Sequence, residues 1–454
     1  MQGSVATPPH PTEVSVDIST LNSALESIHS RDAIEARGKK LGAFERRTKV
    51  RTYDLILALL RAPCVERRRT IASVRRAWEA LTGQSVAEST FEDHFKPGLV
   101  RLLWELLRDA MAPANRAVRR TWPPALRRLR DVLVCDGTRM ALPDGLAETY
   151  EGTSEGAAGL KLVGLYSLGE GAMKDVRAGA AVHHDHRLLR LGALRRHALY
   201  LLDLGFYDHD QFVAYDEADA FFVSRLKSKV VPIVDGEVHG VLDARHAQGK
   251  RLDGALRYHA VVDVDVRLRT ASTETGDHPF RIVKLDVHRR DRHDHLLRER
   301  VACWYVTNLP REEWTVEMIS ALYLLRWAIE RIWRQTKHLA RMDQLQSKRP
   351  AVVFVFLLSS LLLWALGNRI AQEIEYERGL GKVSHDRVHA WVVSTMADVT
   401  SHLSQRPDEL HDYLRRRIGV LLREAGHPNP SQPRRVTTVV DVLEGEMKYL
   451  PHAA

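Results

Sequence analysis

Cysteine is nearly missing from this 454-residue chain: there are three, Cys64, Cys135 and Cys303, with no CxxC pair. Such scattered thiols exclude a disulfide framework and a cysteine-built zinc site, and they suit a reducing cytoplasm. No GxxxxGK loop occurs, which argues against an ATP-driven motor. No HExxH occurs either, so the histidine clusters HHDH at 183–186 and HDH at 293–295 lack zinc-hydrolase spacing. The first residues do not show the charged-then-apolar layout of a signal peptide. There is no internal repeat and no long low-complexity tract. One run is free of charge, Ala351 to Gly367, but 17 residues is the lower limit for spanning hydrocarbon. A helix apolar all round is equally the centre of a large core, and because this run directly follows a basic amphipathic helix it is read as buried, with no membrane partner.

What is present is an ordinary globular mix, 44% hydrophobic and 28% charged, with length for two to four domains. The net charge is +9, and its distribution matters more than its size. Residues 31–130 hold 23 Lys and Arg against 11 Asp and Glu, so the remainder is slightly acidic. An acidic partner is expected at the N-terminal end.

Along the chain, residues 1–30 read as a mobile lead-in. Residues 31–128 carry a helical apolar period, clear in TYDLILALLR and LVRLLWELLRDAM. Between those runs, TIASVRRAWEALTGQSVAESTFEDHF reads as helix, break at Gly83, and second helix capped by Ser89 or Thr90. That pattern resembles a helix-turn-helix, with Arg67, Arg68, Arg69, Arg75 and Arg76 beside it for DNA; a plain helical hairpin is the alternative. After Pro123-Pro124 the period changes to strands: DVLVCDGTRMAL, AAGLKLVGLYSL and DVRAGAAVHHD. A basic helix, RLLRLGALRRHA, comes next, then the buried strand LYLL ending at Asp203, a short helix, and the strand FFVSRLKSK. In the last of these Arg225, Lys227 and Lys229 alternate to one face, a basic track or a solvated edge. This β-β-β-α-β-α order predicts an α/β fold, a ribonuclease H-like core over 129–229 and 301–372. Residues 230–300 read as a β-rich insertion, and 373–454 as a charged helical C-terminal region.

Chemistry concentrates in three acids. Asp136 interrupts the apolar strand VLVCDGT and Asp203 ends LYLL, where an unpartnered charge is expensive. The third lies in YLLRWAIERIWRQTK, read as one amphipathic helix from about Thr315. With Glu330 at zero, Tyr323, Arg326, Arg334, Lys337 and Arg341 fall within roughly 40° of it. Two readings of this stripe stay open: a surface face in which Glu330 pairs with Arg326 and Arg334, or a carboxylate presented to a metal with cations holding phosphates. Hard oxygen ligands without sulfur favour Mg²⁺ or Mn²⁺. Two such ions about 3.5–4 Å apart suit in-line displacement at phosphorus.

Tyr323-x2-Arg326-x3-Glu330-x6-Lys337 resembles the Y-R-E-K motif of the insertion-sequence-four family of DDE transposases, and CDGT and DLGF look like its first and second catalytic motifs, in order. The likeness covers about residues 40–370. It implies Asp136, Asp203 and Glu330 as catalytic metal ligands for two Mg²⁺ or Mn²⁺ ions. It further implies Tyr323, Arg326 and Lys337 on phosphates of the transposon end; Arg334 of the stripe and Arg225 and Lys227 of the basic track are read as neighbouring DNA contacts. The partners implied are double-stranded DNA, both ends and target, and a second copy of the chain in a synaptic complex, in the bacterial cytoplasm and on the nucleoid when bound. Some members pass through a hairpin with a flipped base held on a tryptophan; Trp304, Trp314, Trp327 and Trp333 are candidates, with core packing the alternative for each. A DNA-binding descendant that no longer transposes, and a nuclease of the same fold that only hydrolyses, are the competing functions.

Overall fold

Residues 132–135, Val-Leu-Val-Cys, are apolar on both sides, which suits a strand covered on both faces. In the computed structural model they open an interior strand of a nine-stranded sheet. The structure describes residues 21–443 apart from 22–24, 26–27, 45–48, 67–68, 113–121, 190–193, 240–246, 257, 270–277, 291–295, 339–346, 379–382 and 427–441. The first helices are α1 (Arg31–Lys40), α2 (Thr52–Val65), α3 (Ile71–Thr82), α4 (Glu88–Glu92), α5 (Pro97–Ala110) and α6 (Pro124–Arg127). The sheet then begins with β1 (Val132–Leu142), β2 (Ala158–Ser167) and β3 (Ala172–Ala180), followed by α7 (Asp185–Leu188), β4 (Leu199–Leu202), α8 (His209–Glu217) and β5 (Phe221–Arg225). Next come β6 (Val231–His239), α9 (Leu252–Ala255), β7 (Val261–Arg269), β8 (Phe280–Arg290) and β9 (Leu296–Thr307). The chain closes with α10 (Val316–Leu324), α11 (Trp327–His338), α12 (Pro350–Arg378), α13 (His385–Gln405) and α14 (Leu410–Gly426).

The strand order is β3-β2-β1-β4-β5-β9-β8-β7-β6. β1 pairs with β4, and β4 with β5, in parallel; the outer pairings are antiparallel. The expected insertion therefore extends the central sheet, with β9 crossing from the added strands back to β5. Side-chain alternation divides the interior. Val132, Val134, Leu199, Leu201 and Val223 face a core shared with α10–α13 and the N-terminal helices. Leu133, Cys135, Tyr200, Leu202 and Phe222 face a second core with Phe212 and Tyr215 of α8.

Helix α12 contains the uncharged run and is buried along most of its length against α2, α5 and α13. Long and apolar enough to cross a membrane, it is enclosed here by protein. Arg69, expected beside a DNA-reading helix, is instead buried and donates to the Phe356 carbonyl (2.8 Å) and Ser359 Oγ (2.6 Å) of α12. Arg75 pairs with Glu79 and Glu88, and Arg76 with Glu66; Arg67 and Arg68 lie outside the described residues. The second helix of the expected helix-turn-helix is also short. Gly83 (φ +67°) ends α3 in the left-handed conformation, but α4 spans five residues, begins after Ala87 without a side-chain cap, and turns so that Phe91 and Phe95 are buried.

Other expectations shift locally. The third strand lies at Ala172–Ala180 rather than 175–185; of the basic helix expected over 187–198, residues 190–193 lie outside the described residues, and the described helix there is the one-turn α7. β5 stops at Arg225, so no continuous basic track forms. Lys227 folds back to the Tyr207 carbonyl (3.3 Å) and over its ring.

Leu358, in the middle of α12, is fully buried. Leu358→Ala is expected to cost roughly 2–5 kcal/mol through lost transfer energy and a cavity, read as a lower urea midpoint in detergent-free buffer. A loss below about 1 kcal/mol, the scale of a surface change, would contradict this placement.

A carboxylate cluster at the strand ends

The helix expected from Thr315 is two helices. Thr315 caps α10 by accepting from Met318 N, and α10 ends at Leu324. Across the break the backbone tightens to three-residue bonds: Leu325 N to Leu322 O, Arg326 N to Tyr323 O and Ala328 N to Leu325 O. Tyr323 thus sits on α10, Glu330 on α11, and Arg326 in the joint. The expected single stripe is corrected: the tightened joint rotates Tyr323 and Arg326 inward, while α11 continues outward.

Asp136 and Asp203 arise where two parallel strands part. β1 and β4 stay in register up to Cys135 and Leu202. β1 then continues as Asp136-Gly137-Thr138, while Asp203 leads into a tight turn over Leu204–Phe206, closed by Phe206 N to Asp203 O. Asp136 lies on the same face as Val132 and Val134, which is the face covered by α11. That helix comes close because Gly164, directly across from Asp136 on β2, has no side chain. A Cβ there would lie 2.9 Å from the Trp333 ring.

All three acids meet one buried guanidinium. Arg326 Nη1 lies 3.7 Å from Asp136 Oδ2 and 3.8 Å from Asp203 Oδ1, and Nη2 forms a short ion pair with Glu330 Oε1. The Arg326 side chain is 8% exposed and Asp136 10%, against 35% and 28% for Asp203 and Glu330. The cluster therefore has a buried floor and an open rim. Burial pushes the Asp136 carboxyl up to about 7; Arg326 and the Gly137 N–H, which donates to Oδ1 at 2.8 Å, pull it down, while Asp203 and Glu330 raise it further. Burial opposes the Arg326 charge, but Tyr323 and the three carboxylates more than offset it and hold the guanidinium protonated.

The expected DNA-facing residues divide. Tyr323 is 1% exposed; its hydroxyl donates to the Leu202 carbonyl (3.3 Å), beside Asp203, and its ring lies under both Arg225 (5.6 Å) and Arg326 (5.4 Å). Burial pushes that phenol up to about 12. In this conformation Tyr323 is buried and supports the floor, and Arg326 and Arg225 lie over its ring. Arg334 and Lys337 are not part of the cluster. Arg334 reaches Asp386 of α13 (3.3 Å), which also accepts from Gln335 (2.7 Å), and Lys337 donates to the Arg139 carbonyl (2.8 Å). Arg341 and His293–His295 lie outside the described residues. Trp314 and Trp333 are buried in the core; Trp304 and Trp327 are half-buried. Asp386, the tether of α11, was not legible in the sequence: it is one of two acids on its helix, and its partners lie about 50 residues earlier.

The donor set is three hard oxygens without sulfur, suited to a small divalent cation. If all are ionised, three carboxylates against one guanidinium leave two uncompensated negative charges. Among the described residues no group of three or more His, Cys, Asp or Glu is close enough to hold a metal ion; here the three acids are instead gathered on Arg326. The donor chemistry fits a divalent ion, with the Arg326 guanidinium in the place between the carboxylates.

A buried acid cluster beside a tight turn at the carboxyl ends of parallel strands is the arrangement expected of a nucleic-acid-cutting ribonuclease H-like core. The chain belongs to the Transposase DDE domain family, whose match spans residues 127–366, just over half its length. Among curated proteins it is 25% identical over 252 residues to the transposase for insertion sequence element IS231E of Bacillus thuringiensis subsp. finitimus, covering 48% of this chain and 51% of that one. It is 33% identical over 67 residues to the transposase for insertion sequence element IS421 of Escherichia coli, covering 15% of this chain and 18% of that one. The chain thus spans about half the length of the first relative and under a fifth of the second.

An acid whose folded pKa is about 7 and whose unfolded value is about 4 keeps a proton that the unfolded chain has lost. Its contribution to stability is therefore present below pH about 4 and lost as pH rises through about 7. In metal-free buffer the melting temperature is expected to fall across that window, and Asp136→Asn to flatten the fall. An equally steep fall in the variant would contradict the burial argument.

Proposed function

We propose that this protein is a transposase of the insertion-sequence-four type, which binds terminal inverted repeats as double-stranded DNA and catalyses metal-dependent strand cleavage and transfer into a target. The observation that carries this reading is the meeting of Asp136, Asp203 and Glu330, far apart in the chain, around one guanidinium. The family match supports the class of enzyme. The spacing Tyr323, Arg326, Glu330, Lys337 supports the Y-R-E-K assignment.

In this reading Asp136, Asp203 and Glu330 hold two Mg²⁺ or Mn²⁺ ions. Bound there, the ions would acidify a water or a 3′-hydroxyl and take up charge on the leaving oxygen. The chain's own residues prepare the site. Burial of Asp136 with a deficit of positive charge attracts cations and keeps water from screening them. The Gly137 N–H orients the Asp136 carboxylate, and Tyr323 props the turn that carries Asp203. Arg326, once its carboxylates have other partners, is placed to meet charge building up on a phosphoryl group. Arg334 and Lys337, on the outer side of α11, extend this as contacts to the DNA backbone. Residues 31–128 are assigned to end binding, 129–229 and 301–372 to catalysis with 230–300 inserted, and 373–454 to the helical C-terminal region. Two protomers on paired ends, in the cytoplasm, follow from the family resemblance.

A duplex carrying the inverted repeats that flank the gene is expected to be cut by the purified protein with Mg²⁺. Asp136→Ala should lower the rate by at least about 100-fold, the scale lost when a group stabilising transition-state charge is removed. Joining of an added 3′-hydroxyl end separates a transposase from a nuclease that only hydrolyses. Equal cutting by Asp136→Ala would overturn the catalytic assignment, and binding without cutting by the parent would favour a silent DNA-binding descendant.

A further inference from the structure

Lys161 lies within β2, 3% exposed, and is the strand's only charged residue. A buried ammonium needs a partner, and it has one: Asp185, the first residue of α7, with Nζ 2.6 Å from Oδ1 and side-chain exposures of 4% and 13%. Lys161 also donates to the His183 carbonyl, tying down the HHDH segment that holds Asp185. Gly179 faces Lys161 across β3, and a Cβ there would lie 2.5 Å from the Leu188 side chain of α7, so the segment seats closely on the sheet.

The Asp185 carboxylate is wedged against two further glycines. A Cβ on Gly137 would lie 3.1 Å from its Oδ2, and a Cβ on Gly205 would lie 2.2 Å from the same oxygen. These glycines follow Asp136 and Asp203 by one and two residues. β1 and β4 part immediately before them, after Cys135 and Leu202. Gly137 belongs to the odd-numbered face of β1, with Leu133 and Cys135 in the second core, whereas Asp136 faces α11. The ion pair therefore sits behind the split, on the opposite side of the sheet from Glu330.

We propose that the Lys161–Asp185 pair is a positioning device: it wedges the split between β1 and β4 and so sets the separation and aim of the Asp136 and Asp203 carboxylates. The inference rests on the reading of those two acids as metal ligands. An uncharged wedge of the same size would fill the space. The pair adds a fixed direction, because Lys161 is anchored in the sheet and holds the Asp185 oxygens against both glycine backbones. The two glycines are then required at DGT and DLG by a third segment, between β3 and β4, that brings its own carboxylate.

A buried pair replaced on both sides by uncharged groups of similar volume often keeps stability, so Lys161→Met/Asp185→Asn separates folding from positioning. The double variant is expected to melt within a few degrees of the parent, to bind the flanking-repeat duplex equally well, and to lose roughly 10–100-fold in Mn²⁺ affinity and in kcat, the scale for residues that orient metal ligands. Mn²⁺ affinity is read by electron paramagnetic resonance titration of the protein. Gly205→Ala, which drives a methyl into the same oxygen, should show the same split through a different substitution. If both variants fold and keep parental Mn²⁺ affinity and kcat, the inference is overturned. If the double variant unfolds, Gly205→Ala decides alone; if that too unfolds or behaves as the parent, positioning is rejected in favour of a purely structural role. Asp136→Ala is the control: were it to keep Mn²⁺ affinity and cutting, the underlying catalytic reading would fail first.

Discussion

A single guanidinium among three carboxylates organises this molecule. Arg326 is buried, its charge is offset by acids from β1, from the turn after β4 and from α11, and its plane lies near the Tyr323 ring. Each acid without Arg326 would face a like charge across a poorly hydrated floor, so the cation is what lets them gather at all. The arrangement remains unbalanced. The two longer contacts exceed hydrogen-bond distance, and Arg326 Nε is buried without a hydrogen-bond partner among the described residues.

The surrounding fold makes that cluster possible through close approach. Gly164 lets Trp333 bring α11 down over β1, and the three-residue bonds at Leu325–Ala328 turn Arg326 inward before α11 carries Glu330 back toward the rim. Asp386 anchors the far side of α11 through Arg334 and Gln335. Behind the sheet, Asp185 presses on Gly137 and Gly205. Groups packed on both faces of the sheet thus surround the segments that carry the acids.

Much of this was legible in the sequence. LYLLD marked where β4 ends, and the lone acid inside VLVCDGT marked a charge that an apolar strand holds only with a partner, here Arg326. The apolar run at 351–367 read as a core helix, and α12 is one. The break at Leu325–Arg326 was hidden because apolar residues continue through it at helical spacing, and a three-residue bond leaves no mark in composition. The inward turn of Tyr323, Arg326 and Arg225 was hidden for a related reason: their partners lie on other elements, and a wheel drawn on one helix cannot show them. Arg69 misled in the same way, as a cation in a basic stretch whose acceptors sit about 290 residues later. Lys161 carried a usable signal, a lone lysine in a buried strand, but its partner Asp185 lay among histidines that drew attention to zinc.

In the proposed function the three carboxylates form one cation site from which Arg326 withdraws. Diffraction from crystals soaked in Mn²⁺, with data collected at the manganese absorption edge, tests it most directly. The account requires anomalous density bound by Asp136, Asp203 and Glu330, with the Arg326 guanidinium moved off them. Manganese bound elsewhere, with Arg326 still paired to Glu330, would contradict it.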